Sequence, residues 1–272
     1  MPQGSRGDIV AWNDFTSLLQ QTVIATTGHV LGGGWAVFGV NEGTLDFTVD
    51  EPGGILDITT DTGDNDNEVV VAAGFKPGDG GMEMEVRFKI PDSVAATRAS
   101  VFVGFTETLD TATPVLPFER ATATNTFNGT GGMIGIAFDS DSTLLEFFAI
   151  AGDAGAGLAS VDAKGAVTDA TGVQLVTGTD SNAVPGGTIL TADRWYLVRV
   201  EVGPDRIGRV YLGDYDGGAS LTKDLKLVLE TTALLPDETY HAVAMIENRS
   251  AANERLEIDY PYARGSRDWS AN

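Results

Sequence analysis

Hydrophobic and polar positions alternate most clearly in "MEMEVRFKI", where Met82, Met84, Val86, Phe88 and Ile90 share one face and Glu83, Glu85, Arg87 and Lys89 the other. A period of two is the mark of a half-buried antiparallel strand. The run "RWYLVRVEV" repeats it: Tyr196, Val198, Val200 and Val202 face one way, while Arg199 and Glu201 point out beside Trp195 and Leu197. A "GPD" turn follows and leads into "RIGRVYLGDY", so these two strands are expected to pair as a hairpin. Further short runs, "GWAVFGV", "TLDFTV", "GILDITT", "NEVVVAA", "SVFVGFT", "GMIGIAF", "LLEFFAI", "DLKLVLE", "YHAVAMIE" and "RLEIDYPYA", are each bounded by Gly, Pro, Asn or Asp. Roughly a dozen strands at this spacing predict an all-β fold, a two-sheet antiparallel jelly-roll sandwich. Only "NDFTSLLQQTVIATTG" has helical spacing, with Asn13 or Asp14 as cap and Phe15, Leu18 and Leu19 on one side; a loop is the alternative.

The partition that follows has a short N-terminal arm (1–13), one sandwich domain (14–265) and a C-terminal tail (266–272). Residues 152–187 are rich in small residues and poor in aromatics, and are expected to leave the sandwich as a long hairpin or excursion.

Composition narrows the function classes. With 17 Lys and Arg against 39 Asp and Glu, the formal charge of −22 repels phosphate, and no basic patch offsets it, so neither a nucleic acid nor an anionic membrane is expected as partner. The chain has no cysteine, which removes disulfides, thiolate metal sites and a thiol nucleophile. No leader pattern and no membrane-spanning apolar stretch stands out, and folding in a reducing cytoplasm fits.

Several groupings could carry chemistry. "DTGDNDNEVV" crowds Asp61, Asp64 and Asp66 into one turn, but an EF-hand frame begun at Asp64 meets Val69 where glycine is needed. A looser calcium cage on Asp61, Asp64 and Asp66 stays open; the reading taken is a turn whose Asp and Asn side chains cap their own backbone. Carboxylates two apart on a strand share a face, so Glu83 with Glu85 and Glu257 with Asp259 have spacing suited to glycoside hydrolysis. Their mixture with Arg87 and Lys89 instead suggests a solvent-facing strand, with Leu256, Ile258 and Tyr260 as the buried alternates near the C-terminus. His29 and His241 are the only histidines, and no Gly-x-Ser-x-Gly elbow is present. No catalytic residue is assigned. Among the aromatics, Trp195 is expected in the core, Trp12 and Trp269 with Ile9 and Val10 as partner contacts, and Tyr211 and Tyr215 as sugar-stacking rings.

Taken in order, "WNDF", "GWAVFG", "GILDITTDTGDNDNEVVV", "GMEMEVRFKI", "SVFVGFTET", "GMIGIAFDS", "RWYLVRVEVGPD", "GRVYLGD" and "LEIDYPYA" resemble the concanavalin A-like lectin/glucanase jelly rolls of tailed-phage virion proteins. The resemblance spans roughly residues 9–263 and implies two packed, curved sheets and a non-enzymatic virion role. It departs from the enzymes of that superfamily in lacking their Glu-x-Asp strand followed by Glu. It departs also from legume-type lectins, whose metal loops do not map onto this chain, so no cofactor is carried over.

The resemblance leads to a capsid decoration protein, made in the host cytoplasm and placed on the outer capsid surface of the virion. Its expected partners are the major capsid protein and copies of itself as a homo-oligomer. A carbohydrate-binding module of a fibre or receptor-binding protein, with glycans as partner, is the alternative, and a glycoside hydrolase the third. In this pattern the acidic stretch after "GILDITT" is a hairpin-like connection with its carboxylates at the sandwich edge.

Overall fold

The structure, a computed structural model, describes residues 8–13, 15, 22–23, 28–41, 43–48, 54–91, 98–121, 124–128, 131–141, 147–153, 167–168, 174–177, 193–215, 225–231, 235 and 237–266. Strands are numbered in chain order. Among the described residues, one nine-stranded sheet runs β18 (Lys226–Glu230), β17 (Gly208–Tyr215), β16 (Trp195–Val202), β8 (Met82–Lys89), β20 (Arg255–Ser266), β6 (Ile55–Thr59), β5 (Thr44–Thr48) and β2 (Thr22–Val23), with β1 (Asp8–Trp12) also on β20. The second, also nine-stranded, runs β14 (Val167–Thr168), β15 (Gln174–Thr177), β13 (Phe148–Asp153), β12 (Gly132–Asp139), β9 (Ala99–Thr106), β19 (Tyr240–Asn248), β7 (Asn67–Phe75), β4 (Trp35–Gly39) and β3 (His29–Gly32). A separate hairpin joins β10 (Phe118–Ala121) to β11 (Thr124–Phe127). Pairing is antiparallel, as in β16 with β17 (Val198↔Leu212) and β8 with β16 (Val86↔Val198). The chain is a two-sheet antiparallel jelly-roll sandwich.

The core lies between the two sheets. From β8 it takes Met82, Met84, Val86 and Phe88, the alternate residues that the sequence pattern marks as apolar. A knot of rings fills one part of it: Phe147 stands 4.9 Å from Tyr196, and Phe88 lies 5.9 Å from Tyr196. The second sheet is also covered on its other face, where Leu116 and Phe118 pack against Val69, Phe102, Phe148, Val243 and Met245. Strands β9 and β12 are therefore buried on both sides, which is why "SVFVGF" and "GMIGIAF" run apolar without alternation.

Four details differ from the sequence expectation. Strands β6 and β7 belong to different sheets, so residues 60–66 form an arch across the end of the sandwich and not a hairpin-like link. The arch is tied to the β19–β20 connection through Asn65 N–H to Asn248 O (2.8 Å), Asn248 N–H to Asp66 O (2.9 Å) and Thr60 N–H to Glu254 O (2.9 Å). In β20 the register shifts between Ile258 and Tyr260, so Leu256 and Ile258 are buried, Tyr260 turns outward, and burial resumes at Pro261 and Ala263. Trp195 is not in the core: it sits on the outward face, with Arg87 4.6 Å and Lys89 5.1 Å from its ring centre, and among the described residues Trp35 is the buried tryptophan. Within the stretch given helical spacing, Asn13 closes a turn by accepting the Phe15 N–H at 2.9 Å, and Thr22–Val23 is a strand; residues 14, 16–21 and 24–27 lie outside the described residues.

The N-terminal segment joins the first sheet from Asp8 onward, pairing residue by residue from Asp8↔Ser266 to Trp12↔Tyr262. Of the small-residue stretch, 152–153, 167–168 and 174–177 are described; β15 pairs with β13 and β14 with β15.

Candidate binding face

Among the described residues no strand or hairpin packs over the outward face of the first sheet, and strand register lines its side chains into rows. One row crosses six strands as Leu227, Tyr211, Arg199, Glu85, Tyr262 and Trp12. At the usual strand spacing it is about 24 Å long. Its ends are exposed apolar side chains, Leu227 at 44% and Trp12 at 52%. The adjacent row reads Glu230, Arg209, Glu201, Glu83, Arg264 and Val10, with Val10 45% exposed. Alternation makes both rows: Tyr196, Val198, Val200 and Val202 turn into the core and leave Arg199 and Glu201 outside.

Charges on this face are largely engaged with one another. The Arg199 Nε lies 2.9 Å from Glu85 and 3.6 Å from Glu83, and Nη1 lies 3.6 Å from Glu201. The Tyr260 hydroxyl donates to Glu85, and that of Tyr211 to Glu201 at 3.4 Å. Burial raises the Glu83 carboxyl above its ordinary value; Arg199 opposes this, and Glu201 and Glu85 add to it. Further along, Arg87 pairs with Asp259 at 2.7 Å, and Lys89 pairs with Glu257 at 3.1 Å and Asp193 at 2.9 Å. At one end of the face a cleft of about 210 Å³ opens between the turns at Gly80–Gly81 and Gly203–Pro204, lined by Glu83, Glu201, Arg209 and Arg264. Ring faces, planar carboxylates and guanidinium groups side by side can stack on the C–H face of a sugar and exchange hydrogen bonds with its hydroxyls.

The residues singled out in the sequence separate by place. Tyr211, Trp12 and Val10 share the open face with Glu83 and Glu85. Ile9 pairs with Gly265 and Tyr215 with Trp195 by backbone register, and Trp269 lies outside the described residues. Asp61, Asp64 and Asp66 are on the arch at the sandwich end. Asp66 is 3% exposed and accepts from Asn41, while among the described residues no group of three or more acids or histidines is arranged to hold a metal. His29 and His241 lie on β3 and β19 with β7 and β4 between them, roughly 14 Å apart across the sheet. Burial lowers the His241 pKa.

Sequence reasoning passed over a second polar group, on the other face of the second sheet. Asp139, Ser100, Glu247 and Asn67 stand side by side on β12, β9, β19 and β7, and all four are buried. Arg249 lies over them, reaching Asp139 at 3.0 Å and Ser100 at 2.9 Å and pairing with Glu247. The signal was present in "AFDS" and "IENRS", where a charge ends an apolar strand, but no spacing connects those two segments.

No family model matches the sequence, and no curated protein matches it. Among solved structures, a protein of unknown function from Shewanella oneidensis MR-1 is similar with a TM-score of 0.55 and 13% identity, over 98% of this chain and 90% of that one. The carbohydrate recognition domain of Emp47p is similar with a TM-score of 0.51 and 11% identity, over 95% of each chain. At such identities the likeness is one of fold, and it is the concanavalin A-like lectin fold.

Proposed function

We propose that this chain is a non-catalytic carbohydrate-binding module that takes a glycan on the open face of its first sheet. The observation that carries the reading is the row from Tyr211 through Arg199 and Glu85 to Tyr262 and Trp12. It sets a pair of hydrogen-bonding charges between rings along a line several sugar rings long, next to a cleft. The lectin-like fold supports it. Glu83, Glu85, Glu257 and Asp259 belong to ion pairs across neighbouring strands, which favours a binding face over an acid–base pair. A glycan array followed by titration calorimetry tests the reading. Tyr211→Ala and Trp12→Ala are each expected to weaken the best glycan by about tenfold, the loss of one stacking contact. Unchanged affinity in both variants would remove this face from the account, and release of new sugar reducing ends would replace binding with hydrolysis.

Exposed Val10 and Trp12 on β1 favour a second reading, a virion protein held on the outer capsid surface by the major capsid protein or by copies of itself. Large apolar side chains on a strand otherwise paired into the sheet are suited to a protein contact. Co-sedimentation with washed capsids, lost on Val10→Asp/Trp12→Ala, is its expected outcome. Sedimentation without glycan binding selects this reading over the first.

A further inference from the structure

On the second sheet, away from the proposed glycan face, the β10–β11 hairpin lies over an apolar bed and is fastened at one corner. Leu116 and Phe118, both at most 2% exposed, cover Phe102, Phe148, Val243 and Met245. The fastening is Arg249. Its guanidinium reaches the hairpin at Glu119 (3.3 Å), the sheet at Glu247 and Asp139 (3.0 Å), and the arch at Asn65 (3.3 Å). Asn128 ties the hairpin to itself, donating to the Leu116 carbonyl at 3.0 Å and to Glu119.

We propose that this hairpin is a strap over the second sheet, held down when Glu247 is protonated and loosened when Glu247 is charged. The geometry sets one cation against three carboxylates, two of them buried with the guanidinium and the third, Glu119, at the partly exposed edge. Glu247 meets Arg249 from its own strand end, Asn67 from β7 (2.7 Å), Asp139 from β12 and Glu119 from the hairpin, while Asp141 in the turn after β12 acts on Arg249 and Asp64 of the arch acts on Asp141. A charged Glu247 repels Asp139 and Glu119 together. Of the two, Glu119 is on the removable element, so lifting the hairpin separates the charges and lets water reach Glu247. Burial is the main cause that raises the Glu247 carboxyl from 4.5 to about 7; Arg249 and the Asn67 hydrogen bond oppose it, and Glu119 and Asp139 add to it. A group whose closed-state pKa is raised favours the closed state at low pH, and that preference is lost as pH rises through the interval from 4.5 to about 7.

Trypsin reports on the strap, because Arg120 lies within β10. Cleavage after Arg120 is followed by mass spectrometry across this interval and above it, in the wild type and in Glu247→Gln, whose ratio cancels the protease's own pH dependence. The ratio is expected to rise by about tenfold per pH unit up to near neutrality and then level off. A constant ratio overturns the proposal. If the glutamine variant does not fold, Glu119→Gln in its place removes a charge that raises Glu247, so the midpoint of cleavage is expected to move to lower pH. A midpoint that stays put overturns the proposal equally.

Discussion

Glu68 shows how much a single side chain can depend on its neighbours. It shares the inward parity of Val70, is fully buried, and fits between Gly39 and Gly43, where an added Cβ would stand 1.6 Å and 1.9 Å from its carboxylate oxygens. A side chain at either position would force the Glu68 carboxylate to move, and at Gly43 it would also meet the Thr59 carbonyl oxygen at 2.7 Å. Burial, with Asp66 and then Asp61 adding to it, raises its carboxyl from 4.5 to about 9, and the nearby Gly43 N–H opposes the shift without making a hydrogen bond of regular geometry. Between those values the native state holds a proton that the unfolded chain has released, so stability falls as pH rises through the window. From pH 7 to 9 the slope belongs to Glu68, because Glu247 has already titrated near 7. Thermal unfolding is expected to show Tm decreasing over that range in the wild type and nearly flat in Glu68→Gln. Equal slopes would mean that Glu68 is charged in the fold.

At the scale of the element, β9 and β12 are held unusually close by Gly104 and Gly135, which face each other in register. A Cβ on Gly104 would lie 2.2 Å from the Ile134 carbonyl oxygen, and one on Gly135 2.4 Å from that of Val103. Alanine in a strand ordinarily gains about 0.5–1 kcal/mol over glycine, but here forcing backbone apart costs about 1–3 kcal/mol. Gly104→Ala is therefore expected to lower Tm, and a raised Tm would show that the pair of strands can relax. Elements were also the part of the molecule most legible in the sequence. Alternation placed β8 and β16, because one face of each meets water, and the turn after β16 gave its pairing with β17; the pairing of β8 with β16 has no such local signal. Alternation failed where a local irregularity or a distant partner decides the outcome. The shift after Ile258 turns Tyr260 outward, the arch crosses between sheets where a polar turn would look the same as a hairpin, and Trp195 follows Leu197 to the charged side. The Arg249 cluster draws on four strands and a hairpin far apart in the chain, so no window of sequence contains it.

For the whole molecule, the excess of acid is a burden that pairing does not remove. With a formal charge of −22, the folded chain concentrates repulsion that the unfolded chain spreads out. Added salt shortens the Debye length from about 30 Å at 0.01 M to about 8 Å at 0.15 M. Tm is expected to rise across that change; a fall would mean that the ion pairs of the first sheet outweigh the net repulsion.

Strand β20 has a consequence for how the chain is made. It lies in the middle of the first sheet and touches β8 along one edge and β6 and β1 along the other, yet it is the last of these strands to be synthesised. Until it emerges, β8 and β6 keep bare hydrogen-bonding edges, and the N-terminal strand has no place to dock. The second sheet waits as well, because β19, which joins β9 to β7, precedes β20 by only a few residues; both halves of the sandwich therefore close at the end of synthesis, and the interval before it is when the nascent protein would need a chaperone most.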